Sequence, residues 1–273
     1  MKKFDGILFC TDLDGTLYTS DKKVSRENLE AIEYFKSEGG LFTFITGRPS
    51  IISTEIYDIV KPNAPYGCFN GAGIYSPKEE KLVWNLALPS GFLELIKDVD
   101  EKLPEIGIQF STANKIYFCK NNSAMVRFRE LTGIENIECF YKDVNEEVIK
   151  VVFGSFENEQ ILALETFLKN HPKADDFDFI RSERILYEIL PKGASKGQAL
   201  GKLAEILGIN LNRTIAVGDY NNDISMLKAA GIGFAVENAV EEVKAVADYI
   251  TVSNNHHAIA DIIGKLDRRE III

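Results

Sequence analysis

Short apolar runs alternate with amphipathic stretches near the N-terminus of the 273-residue chain. Residues 7–11 and 42–46 form two such runs, and between them Leu29, Ile32 and Phe35 recur at helical spacing. A short continuous apolar run is typical of a strand buried on both faces, whereas apolar residues three or four apart indicate one face of a helix. The first block therefore predicts a strand, a helix and a second strand.

The last third of the chain repeats this alternation. Residues 214–218, 234–236 and 249–251 are predicted strands. The predicted helices carry the apolar stripes Leu200, Leu203 and Leu207; Ile224, Leu227 and Ala230; Val240, Val243 and Val246; and Ile259, Ile262 and Leu266. Buried strands that alternate with helices indicate a parallel sheet covered on both faces, because right-handed crossovers place helices there. We expect a doubly wound, Rossmann-like α/β core.

The middle of the chain, about residues 84–188, has a different pattern. Its apolar runs are longer and mixed with polar residues, as in 107–120 and 148–156, and they are combined with two helical stretches. This pattern predicts a separate α+β domain inserted into the core. The core domain would then comprise residues 1–83 and 189–273.

Composition and charge narrow the class of protein. The chain is 45% hydrophobic and 26% charged, which is typical of a globular protein. A net charge of −10 opposes binding to nucleic acid, and the apolar run at 7–10 is too short for a secretion signal or a membrane span. The four cysteines form no Cys-x-x-Cys pair, so we expect a reduced, cytoplasmic protein that is not associated with a membrane.

Two carboxylates, Asp12 and Asp14, follow the first predicted strand in the sequence Asp-Leu-Asp-Gly-Thr. Ligands of open α/β sheets bind at the carboxyl ends of the strands, so this position favours a functional site. An ordinary strand-end turn is the alternative, since Asp and Gly are common turn residues. A calcium-binding EF-hand loop fits poorly, because its glycine stands at position six and a helix precedes it.

Two further carboxylates, Asp219 and Asp223, follow the predicted strand 214–218. Together with the first pair they could converge on a hard cation that is also bound by phosphate, which is the usual arrangement for Mg²⁺. The alternative is four unrelated aspartates that serve as turns and helix caps.

Phosphate-binding groups stand at two other predicted positions. Thr46, Gly47 and Arg48 follow the second strand and could hold a phosphoryl group. Lys196 lies in the first turn of a predicted helix, where a cation opposes the helix dipole, so its placement indicates a compensating anion. Taken singly, a Thr-Gly turn and a solvated surface lysine are common.

Taken in this order, the motifs resemble those of the haloacid dehalogenase superfamily. The match is to its Cof-like sugar-phosphatase group, and it extends to Asn70-Gly71-Ala72 after the third strand and to Ser195-Lys196-Gly197. The resemblance covers both core blocks, and it implies a type-2B cap domain at the inserted section. A departure occurs at residues 253–259, where the chain reads Ser-Asn-Asn-His-His-Ala-Ile.

The resemblance implies a phosphohydrolase mechanism. Asp12 would attack phosphorus to form an aspartyl phosphate, and Asp14 would protonate the leaving oxygen and then activate water. Mg²⁺ would be held by Asp12, the main-chain carbonyl of Asp14, Asp219 and Asp223. Thr46 and Lys196 would complete the catalytic set. The expected substrate-binding residues are Thr46, Gly47, Arg48, Asn70, Lys196 and Asn222.

The expected substrate is a small phosphate monoester, such as a sugar phosphate, whose alcohol would be recognised by the cap. Arginines in the predicted cap that could meet an anionic substrate are Arg127, Arg129, Arg181 and Arg184. A phosphomutase that uses the same carboxylates and a non-catalytic phosphate or metal sensor are the alternatives. The sequence leaves the physiological ester and the oligomeric state open.

Overall fold

The chain forms two compact units in the computed structural model, which describes residues 2–273. Unit 1 contains the residues up to Gly47 together with Ser53–Val83 and Ser195–Ile273. Unit 2 contains Arg48–Ile52 and Trp84–Ala194.

Strands and helices alternate through most of the chain. The strands are β1 (Leu8–Thr11), β2 (Leu41–Phe44), β3 (Tyr66–Cys68), β4 (Gly73–Ser76), β5 (Lys81–Asn85), β6 (Gly107–Ser111), β7 (Ile116–Lys120), β8 (Ile137–Glu138), β9 (Lys150–Gly154), β10 (Phe177–Glu183), β11 (Leu186–Pro191), β12 (Thr214–Gly218), β13 (Ile232–Val236) and β14 (Tyr249–Thr251). The helices are α1 (Arg26–Ser37), α2 (Thr54–Val60), α3 (Phe92–Lys102), α4 (Ser123–Thr132), α5 (Asn158–Lys169), α6 (Lys196–Leu207), α7 (Ile224–Ala229), α8 (Glu241–Lys244) and α9 (Ala258–Asp267). Within residues 2–273, no helix combines the length and apolar character needed to cross a membrane.

Unit 1 is built on a five-stranded parallel sheet with the strand order β14-β13-β12-β1-β2. The chain proceeds outward from β1 to β2 in one direction and from β12 to β14 in the other. The order therefore reverses between β1 and β12, and a crevice for ligands lies beyond the carboxyl ends of strands at such a switch point. Strands β1, β12 and β13 are buried along their whole length, as their apolar sequences predict. The predicted parallel-sheet α/β fold class is confirmed.

Helix α6 is fixed at both ends by local sequence. The side chain of Ser195 caps its start by accepting a hydrogen bond from the main-chain N–H of Gln198 at 3.1 Å. Gly208 ends it in the left-handed conformation, with φ of 67°, which glycine adopts without steric cost. Helix α6 packs against α7, and Gly197 lies so close to the carbonyl of Ser225 that a β-carbon would overlap it.

Unit 2 contains a six-stranded sheet with the order β10-β11-β9-β6-β7-β8. All pairs are antiparallel except β7 with β8. Helices α3 and α5 contribute buried apolar residues to the same core as the sheet, among them Leu95, Ile96, Ile161 and Leu164. The apolar run 107–120 proves to be two strands, β6 and β7, joined by a turn.

Two elements of unit 1 differ from the sequence pattern. Strand β2 ends at Phe44, two residues earlier than expected, and Ile45 instead forms an isolated parallel bridge to Gly67. The stripe of Val240, Val243 and Val246 yields only the four-residue helix α8. Of the three valines only Val243 lies within this helix and is buried, whereas Val240 and Val246 lie outside it and are partly buried.

Two glycines of α6 provide a matched test of this packing. We expect Gly197→Ala to lower the free energy of unfolding by about 1–3 kcal/mol, because the added methyl group meets the main chain of Ser225. Gly201→Ala should raise it by about 0.4–1 kcal/mol, because Gly201 has open space around it and alanine is the better helix former. Urea denaturation of both variants measures the difference, and equal effects would contradict the close approach of α6 to α7.

Candidate active site

Asp12 and Asp219 directly follow β1 and β12, the neighbouring strands at the switch point of the sheet. The main-chain N–H of Asp12 donates to the carbonyl of Val217 at 2.9 Å, so the pairing of the two strands continues to the first carboxylate. Parallel pairing thus places the two aspartates at one edge of the sheet.

Three of the four predicted metal-binding residues come together through their side chains. Asp12, Asp219 and Asp223 each offer a carboxylate oxygen, and these oxygens lie within 4.8 Å of one another. Asp12 is 6% exposed and Asp223 is fully buried. We call these three residues the aspartate cluster.

Lys196 lies between two members of the aspartate cluster. Its Nζ donates to Oδ1 of Asp12 at 2.5 Å and to Oδ1 of Asp223 at 2.6 Å, and the residue is 2% exposed. Burial acts to lower the pKa of Lys196, but the attraction of the two carboxylates is larger in sum and raises it above the ordinary value. The sequence predicted a compensating anion for Lys196 because this lysine lies in the first turn of a helix. In the structure, that negative charge is supplied by the pair of Asp12 and Asp223.

Burial and mutual repulsion raise the pKa values of two aspartates. For Asp12, burial is the largest cause and the charges of Asp223 and Asp219 add to it, so that the pKa lies well above its ordinary range although Lys196 opposes the shift. Burial likewise raises the pKa of Asp219, from 3.8 to about 6, against a hydrogen bond from Thr16. Three carboxylates and one ammonium group leave an excess of two negative charges when all are ionised, and this excess favours a proton or a cation at the cluster.

Asp223 also shapes the loop that carries Asp219. Its Oδ2 accepts the main-chain N–H groups of Asp219 and Tyr220 at 3.0 and 3.1 Å. Gly218 allows this arrangement, since a β-carbon there would overlap the Asp223 side chain. Asp223 thus orients the loop and pairs with Lys196.

Asp14 does not join the aspartate cluster through its side chain. The side chain is 39% exposed, and its Oδ1 forms an ion pair with Nζ of Lys22 at 2.8 Å. Exposed pairs of this kind contribute about 0–1 kcal/mol, so the carboxylate can leave Lys22 at little cost. Of the predicted metal set, Asp14 alone has its side chain outside the cluster, which fits the main-chain role expected for it.

The predicted phosphate-side residues of unit 1 form a second group. Asn222 Nδ2 donates to Asn70 Oδ1 at 3.0 Å, and the main-chain N–H of Asn70 donates to the carbonyl of Thr46 at 3.1 Å. A β-carbon on Gly47 would lie 2.8 Å from Oδ1 of Asn70, so Gly47 permits this contact. Asn70 holds a left-handed conformation, with φ of 55°. The structure thus brings together Thr46, Gly47, Asn70 and Asn222.

The turn after β3 also reaches the start of α6. A β-carbon on Gly71 would overlap the carbonyl of Ser195, the residue before Lys196. Gly71 has φ of 94°, a conformation that glycine adopts readily. The Asn70-Gly71-Ala72 sequence therefore packs the turn against the helix that supplies the lysine.

The predicted arginines lie in unit 2, including Arg48, which belongs to its segment Arg48–Ile52. Arg181 bonds to Asn158 Oδ1 and to the carbonyl of Arg184, and Arg129 bonds to Asn121 and covers the ring of Phe118. Arg127 lies 3.6 Å from the carboxylate of Glu183. These internal partners weaken the case for Arg127, Arg129 and Arg181 as substrate ligands, and the roles of Arg48 and Arg184 stay predictions.

Sequence reasoning assigned no role to Thr16, although it stands in the first motif. Its hydroxyl donates to Oδ1 of Asp219 at 2.7 Å and so joins the two strand ends. Gly15 lies against the same carboxylate, and a β-carbon there would overlap it. The short spacing of the motif is the signal for this contact. Thr16 follows Asp12 by only four residues, so its hydroxyl reaches the edge of the sheet because the chain turns immediately after β1.

The site and fold agree with the comparison to known families. The sequence profile of the haloacid dehalogenase-like hydrolases matches residues 9–263. The chain belongs to the haloacid dehalogenase-like hydrolase family. The resemblance seen in the motifs and the prediction of an enzyme of this superfamily are thereby confirmed.

Individual relatives cover nearly the whole chain. The phosphatase YwpJ of Bacillus subtilis is 30% identical over 95% of this chain and 99% of its own. The 5-amino-6-(5-phospho-D-ribitylamino)uracil phosphatase YitU of the same organism is 27% identical over 93% and 94%. Among solved structures, the HAD subclass IIB sugar phosphatase BT4131 superposes with a TM-score of 0.82 at 26% identity, over 96% of this chain and 99% of that one.

Because the pKa of Asp219 is raised, the excess negative charge of the aspartate cluster should change how the stability of the metal-free protein depends on pH. Asp219 is protonated in both folded and unfolded chains only well below pH 3.8, whereas above about pH 6 it is ionised in both and its charge destabilises the folded state. We therefore expect Asp219→Asn to be more stable than the unaltered protein by about 1–3 kcal/mol at pH 8 in excess chelator, with the difference vanishing well below pH 3.8.

Chemical denaturation across this pH range measures the difference. The exposed Asp58→Asn is the control and should show no such pH dependence. An Asp219→Asn variant that is less stable than the unaltered protein at pH 8 would contradict the charge excess.

Proposed function

We propose that this protein is a magnesium-dependent phosphatase that hydrolyses small phosphate monoesters through an aspartyl phosphate on Asp12. The observation that carries the proposal is the meeting of Asp12, Asp219 and Asp223 with Lys196 at the switch point of the sheet. Membership of a hydrolase family and the phosphatase names of the relatives support it.

The residues present fit a divalent cation. Carboxylate oxygens are hard donors of the kind that Mg²⁺ prefers, and a double positive charge would balance the excess of the aspartate cluster. Asp12 and Asp219 would hold the ion together with the main-chain carbonyl of Asp14, and Asp223 would orient them. The bound ion would neutralise oxygens of the transferring phosphoryl group.

In the first step, an ionised oxygen of Asp12 attacks phosphorus and displaces the alcohol. Covalent catalysis of this kind divides one difficult displacement into two easier ones. Lys196 favours the ionised form of Asp12 through their hydrogen bond and adds positive charge beside the phosphoryl group. Thr46 donates a hydrogen bond to that group, and Gly47, Asn70 and Asn222 shape the phosphate side of the site.

Asp14 supplies the proton that the leaving alcohol needs. Its exposed carboxylate leaves Lys22, takes up a proton from solvent and gives that proton to the leaving oxygen. The carboxylate formed in this step then takes a proton from the water that attacks the aspartyl phosphate. Catalytic contacts are often loose before substrate binds, so the pairing with Lys22 is compatible with this role.

Unit 2 acts as the cap that recognises the alcohol in this proposal. Phosphate contacts are common to all esters, so discrimination has to come from groups that reach the leaving group. Relatives that act on a phosphorylated ribityl compound and on sugar phosphates make polyhydroxylated phosphate esters the first substrates to test. Phosphate release from a panel of such esters with Mg²⁺ tests the proposal, and no release from any member would refute it.

Removal of metal should abolish turnover. We expect phosphate release to stop in excess chelator and to return with Mg²⁺, because Lys196 alone cannot neutralise the phosphoryl oxygens. Mg²⁺ should also raise the melting temperature of the unaltered protein, since it binds the folded state. Asp219→Ala should lose most of that thermal shift. Full turnover in chelator would contradict the metal assignment.

Substitutions of Asp12 and Asp14, the two carboxylates of the first motif, should have different effects on turnover. Asp12→Asn should abolish turnover and phosphoenzyme formation, because the amide is no nucleophile. Asp14→Asn should lower kcat by about 10²–10⁴, the usual effect of losing a general acid or base. Acid quenching and mass analysis measure the phosphoenzyme. The exposed Asp21→Asn on the same loop is the control, and a folded Asp12→Asn that retains turnover would exclude the covalent route.

A further inference from the structure

Two asparagines far along the chain hold the loop that carries Asp14. The side chain of Asn238, which follows β13, donates from Nδ2 to the carbonyl of Gly15 at 2.8 Å. Its Oδ1 accepts the main-chain N–H of Asn254 at 2.9 Å. The side chain of Asn254 donates in turn to the carbonyl of Tyr18 at 2.9 Å. The two amides form a bridge, which we call the asparagine bridge, across the segment from Gly15 to Tyr18.

This segment needs support from outside because it is not regular. Asp14 has φ of −79° and ψ of 111°, and Gly15 has φ of 89°, so neither residue is helical. The turn is closed by the N–H of Tyr18, which donates to the carbonyl of Leu13 at 2.8 Å. Thr16 is fixed to Asp219 by its hydroxyl. The asparagine bridge fixes the segment from the other side, through the carbonyls of Gly15 and Tyr18.

The two members of the asparagine bridge differ in their exposure to solvent. Asn254 is 5% exposed, and a buried amide without partners would be costly, so its bonds are integral to the fold. Asn238 is exposed, where water could replace its partners and stability would change little. A side chain that stability does not require therefore binds the main-chain carbonyl of Gly15, the residue after Asp14.

We propose that Asn238 and Asn254 are positioning residues that hold the main chain of Asp14 where its carboxyl group reaches the leaving oxygen of the ester. The inference rests on the proposed phosphatase function. Orientation of a catalytic group is worth orders of magnitude in rate, and a displacement of about 1 Å can cost about 10²-fold.

The leaving group provides a readout that a general structural defect would not change. An alkyl alcohol is a poor leaving group and depends on protonation by Asp14, whereas p-nitrophenolate leaves well without a proton. A misplaced Asp14 should therefore selectively slow the step in which alkyl phosphates transfer their phosphoryl group to Asp12. Its role as the base in hydrolysis of the aspartyl phosphate is common to both esters, so the selectivity has to be measured on the first step. A damaged nucleophile or metal site should slow both classes of ester.

The experiment compares kcat/KM for glycerol 3-phosphate and p-nitrophenyl phosphate with Mg²⁺, because kcat/KM reports the steps up to loss of the alcohol and is independent of hydrolysis of the shared aspartyl phosphate. We expect Asn238→Ala to lower kcat/KM for the alkyl ester by about 10–100-fold, with less than about a threefold loss of kcat/KM for the aryl ester. Asn254→Ser should show the same selectivity if it folds. Asn255→Ala, which removes two hydrogen bonds to Ser20 outside the bridge, is the matched control and should show no selectivity between the two esters.

A double-mutant cycle completes the test. In an Asp14→Asn background, Asn238→Ala should cause no further loss on the alkyl ester, because the group it positions is already inactive. Equal losses on both esters, no loss, or full additivity with Asp14→Asn would each overturn the positioning role. Failure of the unaltered protein to hydrolyse either ester, or any member of the wider panel, would instead refute the proposed function.

Discussion

The ammonium group of Lys196, buried between Asp12 and Asp223, is the interaction on which the site depends. Ions taken out of water must be paired, and removal of one partner from such a pair is strongly destabilising. The pairing therefore requires the end of β1, the loop after β12 and the start of α6 to meet in one arrangement. The Ser195 cap and the close packing of Gly71 and Gly197 then fix the helix that carries the lysine. These contacts fix the start of α6, and they therefore hold the ammonium group of Lys196 between the two carboxylates.

Close approach of main chain to carboxylates is the second constraint, and glycine meets it. Gly15 lies against the side chain of Asp219, and Gly218 lies against that of Asp223. Any side chain at these positions would push a carboxylate away from the others. The glycines therefore allow the three like charges to stay within 4.8 Å of one another. That arrangement is unfavourable without a counter-charge. Burial is the largest cause of the raised pKa values of Asp12 and Asp219, and the repulsion among the carboxylates adds to it.

The sequence predicted the centre of the site better than its surroundings. Asp12 and Asp219 were found because buried strands are recognisable and the carboxyl ends of parallel strands share one edge. Lys196 was found because a cation in the first turn of a helix indicates a compensating anion. The pairing of Asp14 with Lys22 was not foreseen, since it depends on how a short irregular turn directs one side chain. Asn238 was missed for a related reason, because a single exposed asparagine has no spacing that marks it. The internal bonds of Arg129 and Arg181 likewise depend on tertiary neighbours that sequence does not reveal.

The contrast between Asp12 and Asp14 explains how two nearby carboxylates can take opposite roles. Asp12 is buried with Lys196 at its oxygen, so a cation at the cluster would favour its ionised, nucleophilic form. The side chain of Asp14 lies outside the cluster, at a partly exposed position from which it can exchange protons with water. Pairs of titratable groups whose surroundings differ in this way divide acid and base functions between them. The division depends on the turn at Gly15, which separates the two side chains while the main chain of Asp14 stays at the sheet edge. The asparagine bridge acts on that turn and so preserves the separation.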